Sequence, residues 1–334
     1  MQQNDEREDA KHRRIIARPM MRTSLALLAL AAVVTAQAQP ATLRVMGFSG
    51  SANWPIFVAQ DKGFFAARGL QVELAPAPNS ATQIGALRDG GIDIALTAMD
   101  NIVPYAGELF AFLGMNDGGR ISLMAAPRIQ RTTDLKGEAL AVDALASGYA
   151  FVLMEMLARS GVAPGDYRLV SVGGSRERLR ALQEGKAAGA LLNAPTDAAA
   201  QAAGFVRLET SAEVLKRYQG SVGAARRAWA REHGDVLVRY IAAHVAALDW
   251  LYAPANRAEA QQILARRLKV DAASAERSYA ELLSQGSLAR KAALDVEGIR
   301  TVLELRRRYA PTPPPHVEPA RYYDLSYYER ALAQ

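Results

Sequence analysis

The sequence predicts an α/β protein made of two similar units followed by a helical region. Strand and helix patterns alternate from residue 43 to residue 208, a short motif occurs twice in that stretch, and the pattern is helical from about residue 222. Strands that alternate with helices are typical of sheets whose strands run largely parallel. The length of 334 residues suits about two units, each large enough to bury its own core.

The first unit is predicted from hydrophobic periodicity and from residues that start or end helices. Apolar residues alternate in three short segments, which indicates strands, and a proline and an Asn-Ser pair mark the starts of two helices. The predicted order is strand 43–46, helix 55–67, strand 70–74, helix 80–89 and strand 92–96.

The second unit has the same kind of pattern. Short apolar strands are separated by helical segments that end at glycine. The predicted order is strand 139–142, helix 149–159, strand 167–172, helix 175–184, strand 188–192, helix 196–204 and strand 205–208.

A repeated motif relates the two units. Residues 86–90 read Ala-Leu-Arg-Asp-Gly and precede Ala95-Leu96, whereas residues 181–185 read Ala-Leu-Gln-Glu-Gly and precede Ala190-Leu191. The spacing is the same in both copies. Each copy predicts a helix that ends at an acidic residue, a turn at glycine, and a following strand.

The last third of the chain is predicted to be almost wholly helical. A basic run, Arg306-Arg307-Arg308, closes the last helix and is interpreted as a solvated end, where the helix dipole favours cations. The predicted helices are 224–232, 236–252, 256–267, 272–284 and 296–308.

Composition excludes several classes of protein. The chain has no cysteine, which excludes a disulfide framework, an iron–sulfur cluster and a thiol nucleophile. The formal charge of +6 is a mild excess that does not by itself indicate nucleic-acid binding.

The first 38 residues are predicted to be a secretory signal peptide. An apolar run from residue 25 to residue 34 follows basic residues and ends at Ala36-Gln37-Ala38, an A-x-A cleavage pattern. The run is too short to cross a bilayer, which needs about 20 residues. We therefore expect an exported protein located in a periplasm.

The sequence gives little support for catalysis, metal binding or a cofactor. No pair of histidines has the spacing of a helical zinc site, and neither G-x-G-x-x-G nor a Walker A motif occurs. Residues 47–51, Gly-Phe-Ser-Gly-Ser, are not a nucleophile elbow because the second glycine comes one position early. We expect a protein that is not an enzyme and that needs no cofactor.

Polar, glycine-bearing loops follow the predicted strands and indicate a ligand site. Ligands of open α/β sheets bind beyond the carboxyl ends of the strands, where helix N-termini offer unpaired N–H groups. Trp54 and Tyr149 could stack on a ligand, whereas Asp100, Ser175 and Thr196 could equally be helix caps. The loops are residues 47–54, 97–101, 143–149, 173–175 and 193–196.

Four segments carry a resemblance to a known family. Residues 54–65 (WPIFVAQDKGFF), 69–74 (GLQVEL), 90–95 (GGIDIA) and 134–142 (DLKGEALAV) resemble conserved segments of periplasmic substrate-binding proteins of ABC importers. The branch they resemble binds sulfonates, taurine, nitrate and thiamine pyrimidine precursors.

The resemblance implies a type II periplasmic binding protein fold, in which two α/β lobes are joined by a two-strand hinge and close on a ligand. It places residues 41–125 and 222–334 in lobe one and residues 126–221 in lobe two. It further implies a monomer that docks on an importer permease in the inner membrane. Carried over by position, the ligand-binding residues are Ser49, Ser51, Asn53, Trp54, Met99, Asp100, Asn101, Ser147, Gly148, Tyr149, Gly174, Ser175, Arg178, Asn193 and Gln219.

Alternatives stay open for the ligand and for the role. Trp54 and Tyr149 favour an aromatic or heterocyclic ligand. Arg178 could meet an anionic organic molecule, although it is more simply a solvated helix residue, and Asp100 could instead meet a cationic or hydrogen-bond-donating group. The same fold could also carry an enzyme acting on a small heterocycle or carboxylate, or an exported ligand sensor.

Overall fold

The computed structural model describes residues 39–116, 121–284 and 287–334. The predicted signal peptide, residues 1–38, lies outside the described residues. The strands of the described part are β1 (Ala41–Gly47), β2 (Leu70–Pro76), β3 (Ile94–Ala98), β4 (Leu109–Gly114), β5 (Ser122–Ala125), β6 (Ala139–Val142), β7 (Arg168–Ser171), β8 (Gly189–Leu192), β9 (Val206–Thr210) and β10 (Ser221–Arg226).

The helices account for most of the remaining chain. Helices α1 to α7 lie between strands, and α8 to α13 follow β10. They are α1 (Trp54–Asp61), α2 (Ser80–Arg88), α3 (Met99–Ile102), α4 (Gly148–Arg159), α5 (Ser175–Gln183), α6 (Thr196–Ala202), α7 (Ser211–Val214), α8 (Arg227–Glu232), α9 (Gly234–Tyr252), α10 (Arg257–Leu268), α11 (Ala272–Tyr279), α12 (Val296–Tyr309) and α13 (Ser326–Leu332).

Two five-stranded sheets share one topology. The first has the order β2-β1-β3-β10-β4, and the second has the order β7-β6-β8-β5-β9. In the first sheet β1 is parallel to β2 and β3, and β10 is antiparallel to β3. In the second sheet β6 is parallel to β7 and β8, and β5 is antiparallel to β8. We call each sheet with its helices a lobe, and the α/β prediction is confirmed.

The chain passes between the lobes twice. It leaves β4 of the first sheet to enter β5 of the second, and it leaves β9 of the second to enter β10 of the first. The lobe boundary predicted at residue 125 assigns β5 to the first lobe, although β5 pairs with β8 and β9 on either side. We therefore propose that the first boundary lies before Ser122.

The repeated motif has the same structure in both lobes. Asp89 and Glu184 are the C-cap residues of α2 and α5, and the following Gly90 and Gly185 have φ of 77° and 68°. Glycine adopts this left-handed conformation without the steric cost that other residues pay. The turns direct the chain into β3 and β8, the central strands of the two sheets.

Two helix predictions need correction. Residues 224–226 are not the start of a helix but the end of β10, where Ala224 and Ala225 pair with both β3 and β4. Pairing on both edges supplies the hydrogen bonds that a helix would otherwise provide. Helix α1 ends at Asp61 rather than at residue 67, and turns follow it up to β2.

The cores are extensive. One apolar cluster packs α1, α9 and α10 with the first sheet, and it includes Trp54, Tyr240 and Phe112. A second cluster joins both lobes, since Met99 of the first and Phe151 of the second belong to it with residues of α12.

In the described chain no single helix is long and apolar enough to span a membrane. Helix α9 and residues 254–268 reach the required length and apolar composition only as a pair, and that pair is bent by 83°.

Candidate functional site

A cavity of about 500 Å³ lies where loops of the two lobes meet. These loops follow the carboxyl ends of β1, β2, β3, β6, β7 and β8, as expected for ligand sites of parallel sheets. The predicted residues that line it are Ser49, Ser51, Asn53, Asn101, Ser147, Gly148, Tyr149, Gly174, Ser175, Arg178 and Asn193.

The first lobe contributes the loop between β1 and α1. Asn53 holds this loop closed because its Nδ2 donates to the carbonyl of Phe48 at 2.7 Å. Ser51 reaches the other lobe, where its Oγ donates to the carbonyl of Ala194 at 3.0 Å. The loop therefore forms one wall of the cavity and also touches the opposite wall.

The second lobe contributes the N-terminus of α4. Ser147 caps this helix by accepting from the N–H of Ala150 at 3.2 Å. The next residue is Gly148, where an added Cβ would lie 2.5 Å from the Cβ of Asp100. Only glycine allows α4 to approach the first lobe this closely.

Asp143 and Arg178 form the charged centre of the cavity wall. Asp143 accepts from Ser80 at 2.7 Å and from Ser147 at 2.5 Å, so hydroxyls of both lobes hold its carboxylate. The Nη1 of Arg178 lies 3.7 Å from Asp143 Oδ1, and its buried Nε has no hydrogen-bond partner in the part of the chain that the structure describes. Burial lowers the pKa of Arg178, with Asp143 acting in the opposite direction.

Hydroxyl and amide groups surround this centre. Ser175, in the first turn of α5, shares a hydrogen bond of 2.7 Å with Thr196 and accepts from the N–H of Asn193 at 3.3 Å. On another wall the hydroxyls of Tyr149 and Ser221 lie 3.4 Å apart. Hydrogen-bonding groups therefore stand on several sides of the cavity.

Four predicted residues do not line the cavity. Trp54 is fully buried, and its indole N–H donates to the carbonyl of Ala260 at 3.0 Å in the first-lobe core. Met99 lies in the core shared by both lobes. Gln219 donates to the carbonyls of Asn116 and Ser221 and accepts from Asp295 N–H, so it fixes the passage between lobes.

The fourth, Asp100, lies behind Gly148 in a buried ion pair. Its Oδ2 accepts from Nη1 of Arg306 at 2.8 Å, and its Oδ1 has no hydrogen-bond partner among residues 39–116, 121–284 and 287–334. Burial raises the pKa of Asp100 to about 6, although Arg306 acts in the opposite direction. The interpretation of residues 306–308 as a solvated helix end is therefore wrong for Arg306, which is buried, whereas Arg308 is exposed and also pairs with Glu155 at 2.8 Å.

Sequence reasoning missed several lining residues. Residues 76–78 follow β2, another carboxyl strand end, and Ser80 was interpreted only as part of a helix start. Asp143 was in a predicted loop but was not singled out. The strand-end rule could have found these positions, whereas Asn116, Ser221 and Glu281 come from segments with no local signal.

No group of three or more acidic or histidine side chains that could hold a metal ion occurs in the described ranges. Histidine is also missing from the described cavity lining. The polar groups found there are hydroxyls, amides, carboxylates and guanidinium groups, which bind ligands through hydrogen bonds and charge.

Comparison with known proteins places these features in context. The model of the family described as NMT1/THI5 like matches residues 52–258. No curated protein sequence matches the chain.

Solved structures share the fold at low sequence identity. The nitrate-binding protein NrtA of Synechocystis is 15% identical with a TM-score of 0.74, and covers 87% of this chain and 88% of its own. A ligand-binding component of an ABC-type import system from Staphylococcus aureus is 15% identical with a TM-score of 0.73, covering 87% and 99%. The alkanesulfonate-binding protein SsuA of Xanthomonas axonopodis, bound to MOPS, is 19% identical with a TM-score of 0.70, covering 82% and 96%.

Proposed function

Because the chain belongs to the NMT1/THI5-like family, we propose that it is the solute-binding protein of an ABC importer. It captures one small organic molecule between its lobes and delivers it to a permease. The observation that carries this proposal is the cavity of about 500 Å³, a size typical of small-molecule sites, with walls from both lobes.

Contacts between the lobes support capture by closure. Ser51 donates to Ala194, and Ser80 donates to Asp143, so hydrogen bonds cross from one lobe to the other beside the cavity. Two chain passages connect the lobes and can act as a hinge. Opening breaks the crossing bonds and admits the solute, and closure on the solute restores them.

Delivery to a membrane permease requires export. The signal peptide predicted over residues 1–38 would send the protein to the periplasm, where importers collect solutes. Solved structures of the same fold include binding proteins of this kind.

The lining favours binding over catalysis. Its described residues include no histidine that could act as a general base, and the Ser147 hydroxyl that donates to Asp143 also caps α4 by accepting from the N–H of Ala150. Aromatic, heterocyclic and anionic organic molecules are the ligand classes to test, because Tyr149 and Arg178 both line the cavity.

A thermal-shift screen of sulfonates, carboxylates, pyrimidines and amides tests the proposal. We expect at least one compound to raise the melting temperature, since a ligand bound only by the folded state stabilises it. Mass spectrometry of the recovered compound should find it unchanged. Conversion of the compound would support an enzyme instead, and absence of stabilisation across the screen would count against a solute-binding role.

Asn193 provides a test of the site itself. Replacing Asn193 by Ala is expected to weaken binding of a compound found in the screen about 5- to 10-fold, the effect of losing one hydrogen bond of about 1 kcal/mol. The melting temperature without ligand should change little, because Asn193 lies at the cavity wall and not in a core cluster. Isothermal titration calorimetry measures the affinity, and Gln201→Ala on the exposed face of α6 is the control. Equal affinity in all three proteins would mean that the ligand binds elsewhere.

A further inference from the structure

Resting on the proposed function, we propose that Asp143 sets the charge of the ligand. By pairing with Arg178 it gives the cavity a recognition centre without net charge, so the cavity takes an uncharged organic molecule. Such a molecule would present a hydrogen-bond acceptor, such as a carbonyl or heteroaromatic nitrogen, to Arg178 and place an apolar body against the remaining walls.

Arg178 has the geometry of a donor that awaits an acceptor. Its side chain lines the cavity, yet the residue is only 5% exposed. Among the described residues its Nε has no hydrogen-bond partner, and its Nη1 is 3.7 Å from Asp143 Oδ1, beyond hydrogen-bond distance. A buried guanidinium with unpaired donors is costly, so a ligand acceptor that reaches its Nη groups from the cavity would bind favourably.

Asp143 is fixed beside Arg178. The hydroxyls of Ser80 and Ser147 donate to its two oxygens, and the residue is buried. Hydrogen bonds to both oxygens hold the side chain of Asp143 in place. The positive charge of Arg178 is therefore already balanced before any ligand arrives.

The other described charges of the lining add no positive excess. Arg176 and Glu177 are both exposed at the start of α5, and Glu281 lies 3.8 Å from Arg207. An anionic ligand placed at Arg178 would leave one uncompensated negative charge beside Asp143, away from water. Burial of an unpaired charge costs several kcal/mol, whereas a neutral acceptor avoids this cost.

Apolar walls define the rest of the ligand. The side chains that form them come mainly from the first lobe, and they suit an aromatic or aliphatic body larger than a small inorganic ion. They are Phe48, Pro76, Ala77, Pro78, Leu96, Met115, Ile121 and Leu282. The lining thus combines one polar centre with a broad apolar surface, the usual composition of a site for organic molecules.

Matched pairs of compounds test this inference. We would titrate benzamide against benzoate and naphthalene-2-sulfonamide against naphthalene-2-sulfonate by calorimetry, at 50 and 500 mM salt. The neutral member of each pair is expected to bind at least 10-fold more tightly, with an affinity that changes less than 2-fold with salt. Tighter binding of the anions would overturn the inference while leaving the proposed function intact.

Variants distinguish the effect of the charge of Asp143 on ligand preference from the effect of its shape. Asp143→Asn keeps the size of the side chain but leaves Arg178 uncompensated, and it is expected to reverse the order within each pair. Asp89→Asn makes the same change at an exposed carboxylate outside the cavity lining and should preserve the original order. If Asp143→Asn does not fold, Arg178→Gln provides the second test and should weaken binding of the neutral compounds at least 10-fold.

The outcomes distinguish the two proposals. An unchanged preference in Asp143→Asn, or unchanged affinity in Arg178→Gln, would overturn the role of this pair in recognition. Absence of binding for every pair and for the wider screen would count against the solute-binding role. It would then also overturn the inference about ligand charge, which rests on that role.

Discussion

Replacing Arg306 by Ala is expected to lower the free energy of unfolding by about 3–5 kcal/mol. Arg306 donates to the carboxylate of Asp100 at 2.8 Å, and Asp100 is only 1% exposed. The variant would leave the carboxylate of Asp100 buried without its partner, so that the ion pair no longer offsets its desolvation. Urea denaturation at pH 8, where Asp100 is ionised in the native protein, measures the loss.

The adjacent residue provides the control for this prediction. Arg307 is exposed on the same helix, and Arg307→Ala is expected to change the free energy of unfolding by less than about 0.5 kcal/mol. The loss in Arg306→Ala should shrink at pH 5, because protonation of Asp100 removes the buried charge. Equal stabilities of the two variants would show that Asp100 and Arg306 are not buried together.

The second large effect concerns His244, whose contribution to stability should disappear as the pH falls from 6.5 to 4. His244 is 1% exposed in α9, and neither ring nitrogen has a hydrogen-bond partner within the described ranges. Burial lowers its pKa from 6.5 to about 4. The unfolded chain therefore takes up a proton in this interval before the folded protein does, which costs about 3 kcal/mol at pH 4.

Asp100 has the opposite dependence on pH. Its folded pKa of about 6 lies above its ordinary value of 3.8, so the folded protein binds a proton first as the pH falls from 6 to 4. This uptake adds about 2 kcal/mol of stability over the same interval. The contributions of His244 and Asp100 to the free energy of unfolding therefore change in opposite directions with pH and largely cancel. Measurements on the native protein alone would reveal little of either contribution.

A variant of His244 separates the pH dependence caused by His244 from that caused by Asp100. Relative to the native protein, His244→Leu should gain about 3 kcal/mol between pH 7 and pH 4, measured by urea unfolding at both values. Tyr240→Phe removes another buried, unpartnered polar group of α9 that does not titrate in this range, so it should leave the pH profile unchanged. The assignment fails if the two variants show the same pH profile.

The proposed function depends on the cavity and not on these buried charges. Asp100 was predicted to contact the ligand, yet it supports Gly148 from behind, since a Cβ at position 148 would meet Asp100. Substituting Asp100 would therefore disturb the protein as a whole, whereas substituting Asn193 or Asp143 acts on the cavity wall. Because these residues lie in different places, ligand binding and folding stability can be tested with different variants.

Local sequence determined the alternation of strands and helices. Strand β6 has the predicted bounds, and α4 and α5 differ from theirs by one residue, because hydrophobic spacing and caps act over a few residues. Asn79 accepts from the N–H of Thr82, and Gly90 takes the left-handed conformation that its turn requires. The resemblance in residues 54–142 likewise depended on short segments, and it led to the correct fold.

Tertiary structure alone decided which polar residues meet. Asp100 and Arg306 are 206 residues apart, as are Trp54 and the carbonyl of Ala260 that its indole binds. Tertiary structure also decided the conformation of β10, whose alanines form a strand because β3 and β4 supply hydrogen bonds on both sides. Periodicity carries information about neighbours in the chain, whereas burial and charge pairing depend on distant segments that meet only when the chain folds.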